Sequence, residues 1–146
     1  MNNFHSIAWQ DGRVSMLDQR KLPHETIYNE YTTADQVAEA IHDMVIRGAP
    51  AIGAAASYGL ALVCYHSQAA DVAGLRAELE EAAETLRQSR PTAVNLFWAI
   101  DRMMSRLADP AIDSVAAMKE AALTQAEAIA AEDVAINKQI GRNAMP

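Results

Sequence analysis

The chain has one cysteine, Cys64, among its 146 residues. No internal disulfide framework is available to it, and a reducing, cytoplasmic compartment is the one it fits. Basic residues are scarce as well: 12 Lys and Arg stand against 19 Asp and Glu, a net charge of −7. A nucleic-acid surface needs clustered Lys and Arg, so no nucleic-acid partner is expected, although one phosphate held by one or two local arginines remains compatible. The four histidines, His5, His24, His42 and His66, share no metal-ligand spacing. No glycine-rich dinucleotide fingerprint follows a strand, so neither metal nor cofactor is expected. Met1 to Arg13 lacks an apolar core of signal-peptide length, and export is not expected.

Charge is missing altogether from Gly48 to Gln68. That length suits a membrane span, but the run contains Gly53, Ser57, Tyr58, Gly59, Tyr65 and His66 and has no basic flank after it. A buried central helix, whose small side chains let other backbones approach, is the better reading, and no membrane is expected as a partner. Cys64 within it reads as a small apolar filler. Half of the chain is apolar, 51%, which excludes disorder. The length suits one domain with a real core.

Ser6–Gln10, Asp11-Gly12 and Arg13–Asp18 read as a β-hairpin, because Asp-Gly between alternating runs is a two-residue turn signal. A third strand is expected over Glu25–Tyr31, with Trp9, Ile27 and Tyr31 as contacts to the helices. Thr32 or Thr33 then caps a helix from Ala34 to Ile46, with Gln36 as capping-box partner. Val37, Ala40, Ile41, Met44 and Val45 fall at helical spacing as its buried stripe. The central helix runs from Pro50 to about Ser67. Asp71 caps the next, whose apolar face is Leu75, Leu79, Ala82, Ala83 and Leu86. A fourth helix starts at the Pro91-x-Ala step and reaches about Ala108. A fifth runs from Asp113 to Ile140 and is ended by Gly141. The fold expected is α+β: a small N-terminal antiparallel sheet over residues 1–32 and a bundle of about five helices over 33–146, together one compact unit.

Two junctions between these helices carry the functional reading. At the first, Gly48 suits the left-handed residue that closes a helix, Ala49 is pushed extended by the following proline, and Pro50 suits a first helical turn. The amides of Gly48, Ala49 and the next turn then lie at the positive end of a helix dipole, beside the bidentate donor Arg47, and an anion, phosphate above all, suits that place. A lone arginine at a helix end is usually just a solvated terminus. The pattern repeats, however, at Arg90-Pro91-Thr92-Ala93. Asn95, one turn on, either reaches a sugar hydroxyl or serves as a packing amide. Asp43, four residues before Arg47, is its candidate ion-pair partner.

Arg47-Gly48-Ala49-Pro50-Ala51-Ile52-Gly53 with Tyr58-Gly59-Leu60-Ala61, followed by Arg90-Pro91-Thr92-Ala93-Val94-Asn95-Leu96, resembles the two motifs of methylthioribose-1-phosphate isomerases. That family also holds ribose-1,5-bisphosphate isomerases and regulatory subunits of a translation-initiation exchange factor. The resemblance covers the whole chain but only the family's N-terminal portion. It implies an aldose–ketose isomerase of methionine salvage, with substrate-binding Arg47, Gly48, Ala49 and Arg90. It also implies that the catalytic cysteine and aspartate lie in a C-terminal Rossmann-like domain absent from this chain. No catalytic residue is therefore assigned here, and the chain is expected to be inactive alone. Its expected partners are a sugar phosphate, the missing domain and further copies of itself, through apolar surface that the second domain would cover. The alternative is a non-catalytic regulatory or assembly module like the exchange-factor subunits.

Overall fold

The structure, a computed structural model, describes residues 7–46 and 49–144, with side chains for residues 7–46 and 51–132. Strands β1 (Ile7–Trp9), β2 (Val14–Leu17) and β3 (Tyr28–Tyr31) are followed by helices α1 (Ala34–His42), α2 (Ala49–His66), α3 (Val72–Ser89), α4 (Val94–Leu107) and α5 (Val115–Ala144). The strands form one antiparallel sheet in the order β1–β2–β3. A three-stranded sheet leading into five helices is the α+β arrangement expected.

The hairpin forms as its turn chemistry dictates. Gln10 and Arg13 exchange both backbone hydrogen bonds, at 2.7 and 3.1 Å, around Asp11 and Gly12 at φ 50° and 82°. Two positive angles in succession are the type I′ turn, whose twist matches that of paired strands. The hairpin tip is seated on the end of α2: His66 Nε2 donates to the Gly12 carbonyl at 2.8 Å. Trp9 stacks on Tyr58 with centroids 5.9 Å apart and meets Tyr65 edge-on at 5.6 Å. Tyr31 also packs on the helical core. The third strand is shorter than expected, because the ladder ends at the Leu17–Tyr28 pair. Beyond it Asp18 leads into a 3-10 turn over Gln19–Lys21, and Ile27 contributes its carbonyl to the Asp18 N–H, at 2.7 Å, rather than a strand position.

The capping box at Thr33 is formed, with Gln36 N–H donating to Thr33 Oγ1 at 3.1 Å and Thr33 N–H to Gln36 Oε1 at 3.3 Å. The helix it starts is four residues shorter than the periodicity implies. Met44 takes φ 65°; its N–H bonds to the Ile41 carbonyl (3.2 Å), and the Val45 N–H bonds to that of Ala40 (3.0 Å). This pair of bonds is a Schellman stop with methionine where glycine is usual. Val45 is buried but past the helix, and Met44, expected in the core, is 42% exposed.

Helix α2 is enclosed on all sides. Ala54, Ala55, Ala56, Ser57, Leu60, Leu62 and Cys64 are buried, and the helix touches α1, α3, α4, α5 and β1. It starts at Ala49, one residue earlier than expected, so Ala49 is helical rather than extended. The five apolar positions expected on α3 are all buried, and Asp71 Oδ1 accepts from Gly74 N–H at 2.8 Å. Pro91, in contrast, does not open α4: it sits in a turn, and the helix starts three residues later at Val94. Ser114, not Asp113, caps α5, accepting from the Ala117 N–H at 3.1 Å. That helix runs through Gly141 to Ala144, since a lone glycine costs only about 1 kcal/mol inside a long helix. Among the described residues no helix is long and apolar enough to cross a membrane.

Two substitutions test these backbone readings by thermal or urea unfolding. A Cβ at Gly12 would lie 2.3 Å from Tyr65 Cε1 at a positive φ, so Gly12→Ala should lose about 2 kcal/mol or more. Met44→Gly relieves the left-handed strain on an exposed residue and should gain up to about 1 kcal/mol, less the chain entropy that glycine adds. Unchanged stability in both would refute the two turn assignments.

Candidate functional site

The second junction is built at the end of α3. Ser89 is buried and its Oγ donates back to the Leu86 carbonyl at 2.6 Å. Arg90, at φ −148° and ψ 84°, leaves the helix as its C-cap. The Ala93 N–H returns to the Arg90 carbonyl at 3.0 Å, closing a tight turn around Pro91 and Thr92. Ala93 is then the N-cap of α4 and has no side chain with which to bond the first-turn amides. The positive end of α4 is thus left without a side-chain cap, beside Arg90.

Arg90 differs from the other arginines whose side chains are described. Arg13 pairs with Glu30, Arg20 with Asp18, Arg87 with Asp101, Arg102 with Glu132 and Arg106 with Asp109. Arg76 donates to the carbonyls of Leu107 and Asp109, at 3.3 and 3.4 Å. Among the described residues no acceptor engages the half-buried Arg90 guanidinium.

The first junction is described only from its far side. Arg47 and Gly48 lie outside the described residues, and Ala49 is the first residue of α2. Gly53 ties this helix to the second junction: a Cβ placed on it would lie 3.3 Å from both Ala99 Cβ and the Asn95 carbonyl oxygen. The second turn of α2 therefore packs against the first two turns of α4. Asn95 is half-buried in that contact. Of the five residues expected at the site, Ala49 opens α2 and Asn95 stands in the first turn of α4, while Arg90 is the C-cap of α3, three residues before the N-cap of α4. Asp43, the expected partner of Arg47, has its Oδ1 3.0 Å from His42 Nδ1. The N-terminal part of α2 thus lies against that of α4, and each helix start carries about half a positive charge, which suits an anion.

Burial disarms two groups of the kind that do proton chemistry. Burial pushes the Cys64 thiol up to about 12, so it is neither thiolate nor acid near neutrality. Burial, with the Glu127 carboxylate nearby, raises the Tyr58 hydroxyl further.

A cluster that the sequence did not announce stands below the α1–α2 connection. Asp18 is 1% exposed; its carboxylate accepts from Arg20 N (3.1 Å), Nε (2.9 Å) and Nη2 (2.7 Å) and from Asn29 Nδ2 (3.2 Å). The Arg20 hydrogen bonds, outweighing burial, lower its pKa from 3.8 to about 2. Only the Asp-x-Arg spacing hinted at it, and that spacing is too common to single out.

Residues 45–146 match the Initiation factor 2 subunit family. Over 144 residues the chain is 52% identical to a methylthioribose-1-phosphate isomerase of Synechococcus sp., covering 99% of this chain and 41% of that protein. It is 48% identical to a 5-deoxyribose 1-phosphate isomerase of Moorella thermoacetica, covering 94% of this chain and 39% of that protein. Among solved structures, 5-methylthioribose 1-phosphate isomerase from Pyrococcus horikoshii superposes with a TM-score of 0.84 at 39% identity, over 87% of this chain and 36% of that one. Translation initiation factor eIF-2B, subunit delta, from A. fulgidus gives 0.82 at 43%, over 88% and 37%. The chain thus spans about two fifths of the length of the curated relatives it matches.

The Asp18 cluster predicts how stability depends on acid. A carboxylate whose pKa is depressed on folding stabilises the fold fully above its unfolded value, here 3.8, and loses that contribution as pH falls through about 2. Allowing for the partial exposure of Arg20, the contribution is about 1–2 kcal/mol. The stability gap between the native chain and Asp18→Asn, read from urea unfolding, should therefore be constant above about pH 4.5 and narrow toward pH 2. A gap unaffected by pH would refute the assignment.

Proposed function

The chain belongs to the Initiation factor 2 subunit family, and from that premise we propose that it is the phosphate-holding N-terminal part of an aldose–ketose isomerase. The substrate proposed is 5-methylthioribose 1-phosphate and the product 5-methylthioribulose 1-phosphate, as in methionine salvage. The packing of Gly53 against Asn95 and Ala99 supports this most, because it sets the N-terminal part of α2 against that of α4, the helix that follows the unengaged Arg90 in the chain. In this reading Arg47, Gly48, Ala49 and Arg90 bind the phosphate, which carries close to two negative charges at neutral pH. Asn95 meets a sugar hydroxyl.

The reaction sets what such a site must leave to others. The anomeric oxygen carries the phosphate, so the ring opens only as the C1–O4 bond breaks and O4 gains a proton. A hydrogen then passes from C2 to C1 while the C2 hydroxyl loses its proton to become the ketone. Those transfers need an acid/base pair of suitable pKa. Cys64, buried in α2 with its pKa raised, does not supply one. The chain by itself is therefore proposed to bind and orient but not to turn over. Val94 and Trp98, 77% and 55% exposed on one face of α4, are proposed to meet another copy or the remaining length of such an enzyme.

A second reading, a regulatory or assembly module without chemistry, draws on the likeness to the eIF-2B delta structure. Ligand-dependent unfolding separates the two. Inorganic phosphate and pentose 1-phosphates should raise the melting temperature, and Arg90→Ala should remove most of that rise while Arg106→Ala, an ion-paired surface control, keeps it. Loss of protection in neither or in both favours the module. Assay of the purified 146-residue chain should yield no ketose. Turnover that disappears in Arg47→Ala would overturn the proposed division of labour.

A further inference from the structure

Helix α5 has 30 residues against 18 in α2 and 14 in α4, two of the helices it packs on. At 1.5 Å per residue that is about 45 Å of helix against about 27 and 21 Å, so neither neighbour can line it from end to end. Its described buried seam is Met118, Ala121, Ala122, Ala126 and Ile129, and three of these five are alanines. Alanine removes little apolar area from water, so a side-chain tie carries more weight here than along α3, whose seam holds Leu75, Leu79 and Leu86. Arg102 of α4 supplies that tie. Its Nη1 and Nη2 donate to the two carboxylate oxygens of Glu132, at 2.8 and 2.5 Å. Arg87–Asp101, the other ion pair between helices among the described residues, makes one bond of 3.3 Å. The Arg102 guanidinium also lies over the Trp98 ring, its carbon 5.1 Å from the ring centroid. A planar guanidinium engages a carboxylate along its edge and an aromatic ring on its face, so neither contact displaces the other.

We propose that Trp98 is a positioning residue for α5: by backing the Arg102 guanidinium it steadies the fork that latches Glu132, which couples an exposed ring on α4 to the docking of α5. An exposed ion pair alone contributes little, because two long side chains must be ordered to form it. Glu132 and Arg102 are both partly exposed, with 48% and 31% of their side chains open to solvent. Ring backing lowers that ordering cost, since the guanidinium is held in place before the carboxylate arrives. The coupling runs both ways, as any linkage between two sites must. Releasing Glu132 frees the guanidinium and with it the ring, and removing the ring loosens the hold on α5. Trp98 stands four residues after Val94, where α4 begins, so the docking of α5 is tied to the exposed face at that helix start. This latch is independent of the phosphate-binding reading.

The test compares Trp98→Leu, Glu132→Gln, the double variant and Asp101→Asn in the 146-residue chain, with Arg102 kept in all of them. Hydrogen exchange is read at the Glu127–Glu132 amides of α5 and, as a reference, at the Leu79–Leu86 amides of α3. Glu132→Gln should quicken α5 exchange by roughly twofold to fivefold and Trp98→Leu by less, with α3 unaltered. The double variant should match Glu132→Gln, because the ring acts on α5 only through that carboxylate. Asp101→Asn, which breaks the tie between α3 and α4, should leave α5 exchange as in the native chain. In a Trp9→Phe background, acrylamide should quench the remaining tryptophan more readily once Glu132→Gln is introduced. Unaltered α5 exchange in Glu132→Gln or in Trp98→Leu overturns the latch, and so does faster α5 exchange in Asp101→Asn. Equal quickening in α3 overturns it as well, since that marks a general loss of stability. A double variant in which the two effects multiply shows that the ring holds α5 by a route other than Glu132, which also overturns the proposal. Unaltered quenching refutes the coupling from α5 back to Trp98.

Discussion

Enclosure of α2 on every side is the constraint from which the rest of the molecule follows. A helix with neighbours all round has no face for a charge, because an unpaired buried ion costs several kcal/mol. It also has little room for bulk where another backbone approaches. Gly53 lets α4 come within contact of the α2 backbone: a Cβ placed there would stand 3.3 Å from the Asn95 carbonyl oxygen. Polar atoms survive inside only when satisfied, as Ser57 Oγ is by the Gly53 carbonyl at 2.9 Å. The four other helices and β1 all pack against this one rod.

A rod buried along its length leaves only its ends open to other groups. The C-terminal end receives the hairpin: Tyr65 covers Gly12, and His66 bonds its carbonyl. The N-terminal end lies against the start of α4, whose first turn has no side-chain cap and which follows an arginine left out of every ion pair described. The same packing that excludes charge from the middle of α2 thus gathers positive potential at its beginning.

The sheet is small, yet it is coupled to both ends of α2. The type I′ turn reaches one end, and the Asp18 cluster reaches the connection leading into the other. Three strands of three or four residues could not stand alone. Their burial against α2, through Trp9 on Tyr58 and through Val14 and Met16 in the core, supplies the stability that the ladder lacks.

Local chemistry was legible in the residues where a short-range cap or turn has a distinctive pair of residues. Asp11-Gly12 specified the hairpin turn, Thr33 with Gln36 the first helix start, Asp71 the third, and the spacing of Leu75, Leu79 and Leu86 the buried face of α3. The uncharged run from Gly48 to Gln68 announced a helix with no exposed side. The two arginine–proline junctions drew attention to themselves by repetition, but nothing local could say that they are neighbours. Tertiary structure decided what depends on distant partners. Met44 stops α1 early because Val45 is needed in the core and by Gln19. Pro91 stands outside α4 because the Arg90–Ala93 turn must bring that helix back across α2. Asp18 combines both ranges: three of its donors belong to Arg20, two residues on, but the fourth, Asn29, is brought to it only by the pairing of β2 with β3. A sequence encodes short-range hydrogen bonds directly in residue spacing, whereas long-range contacts exist only once burial has chosen which surfaces meet.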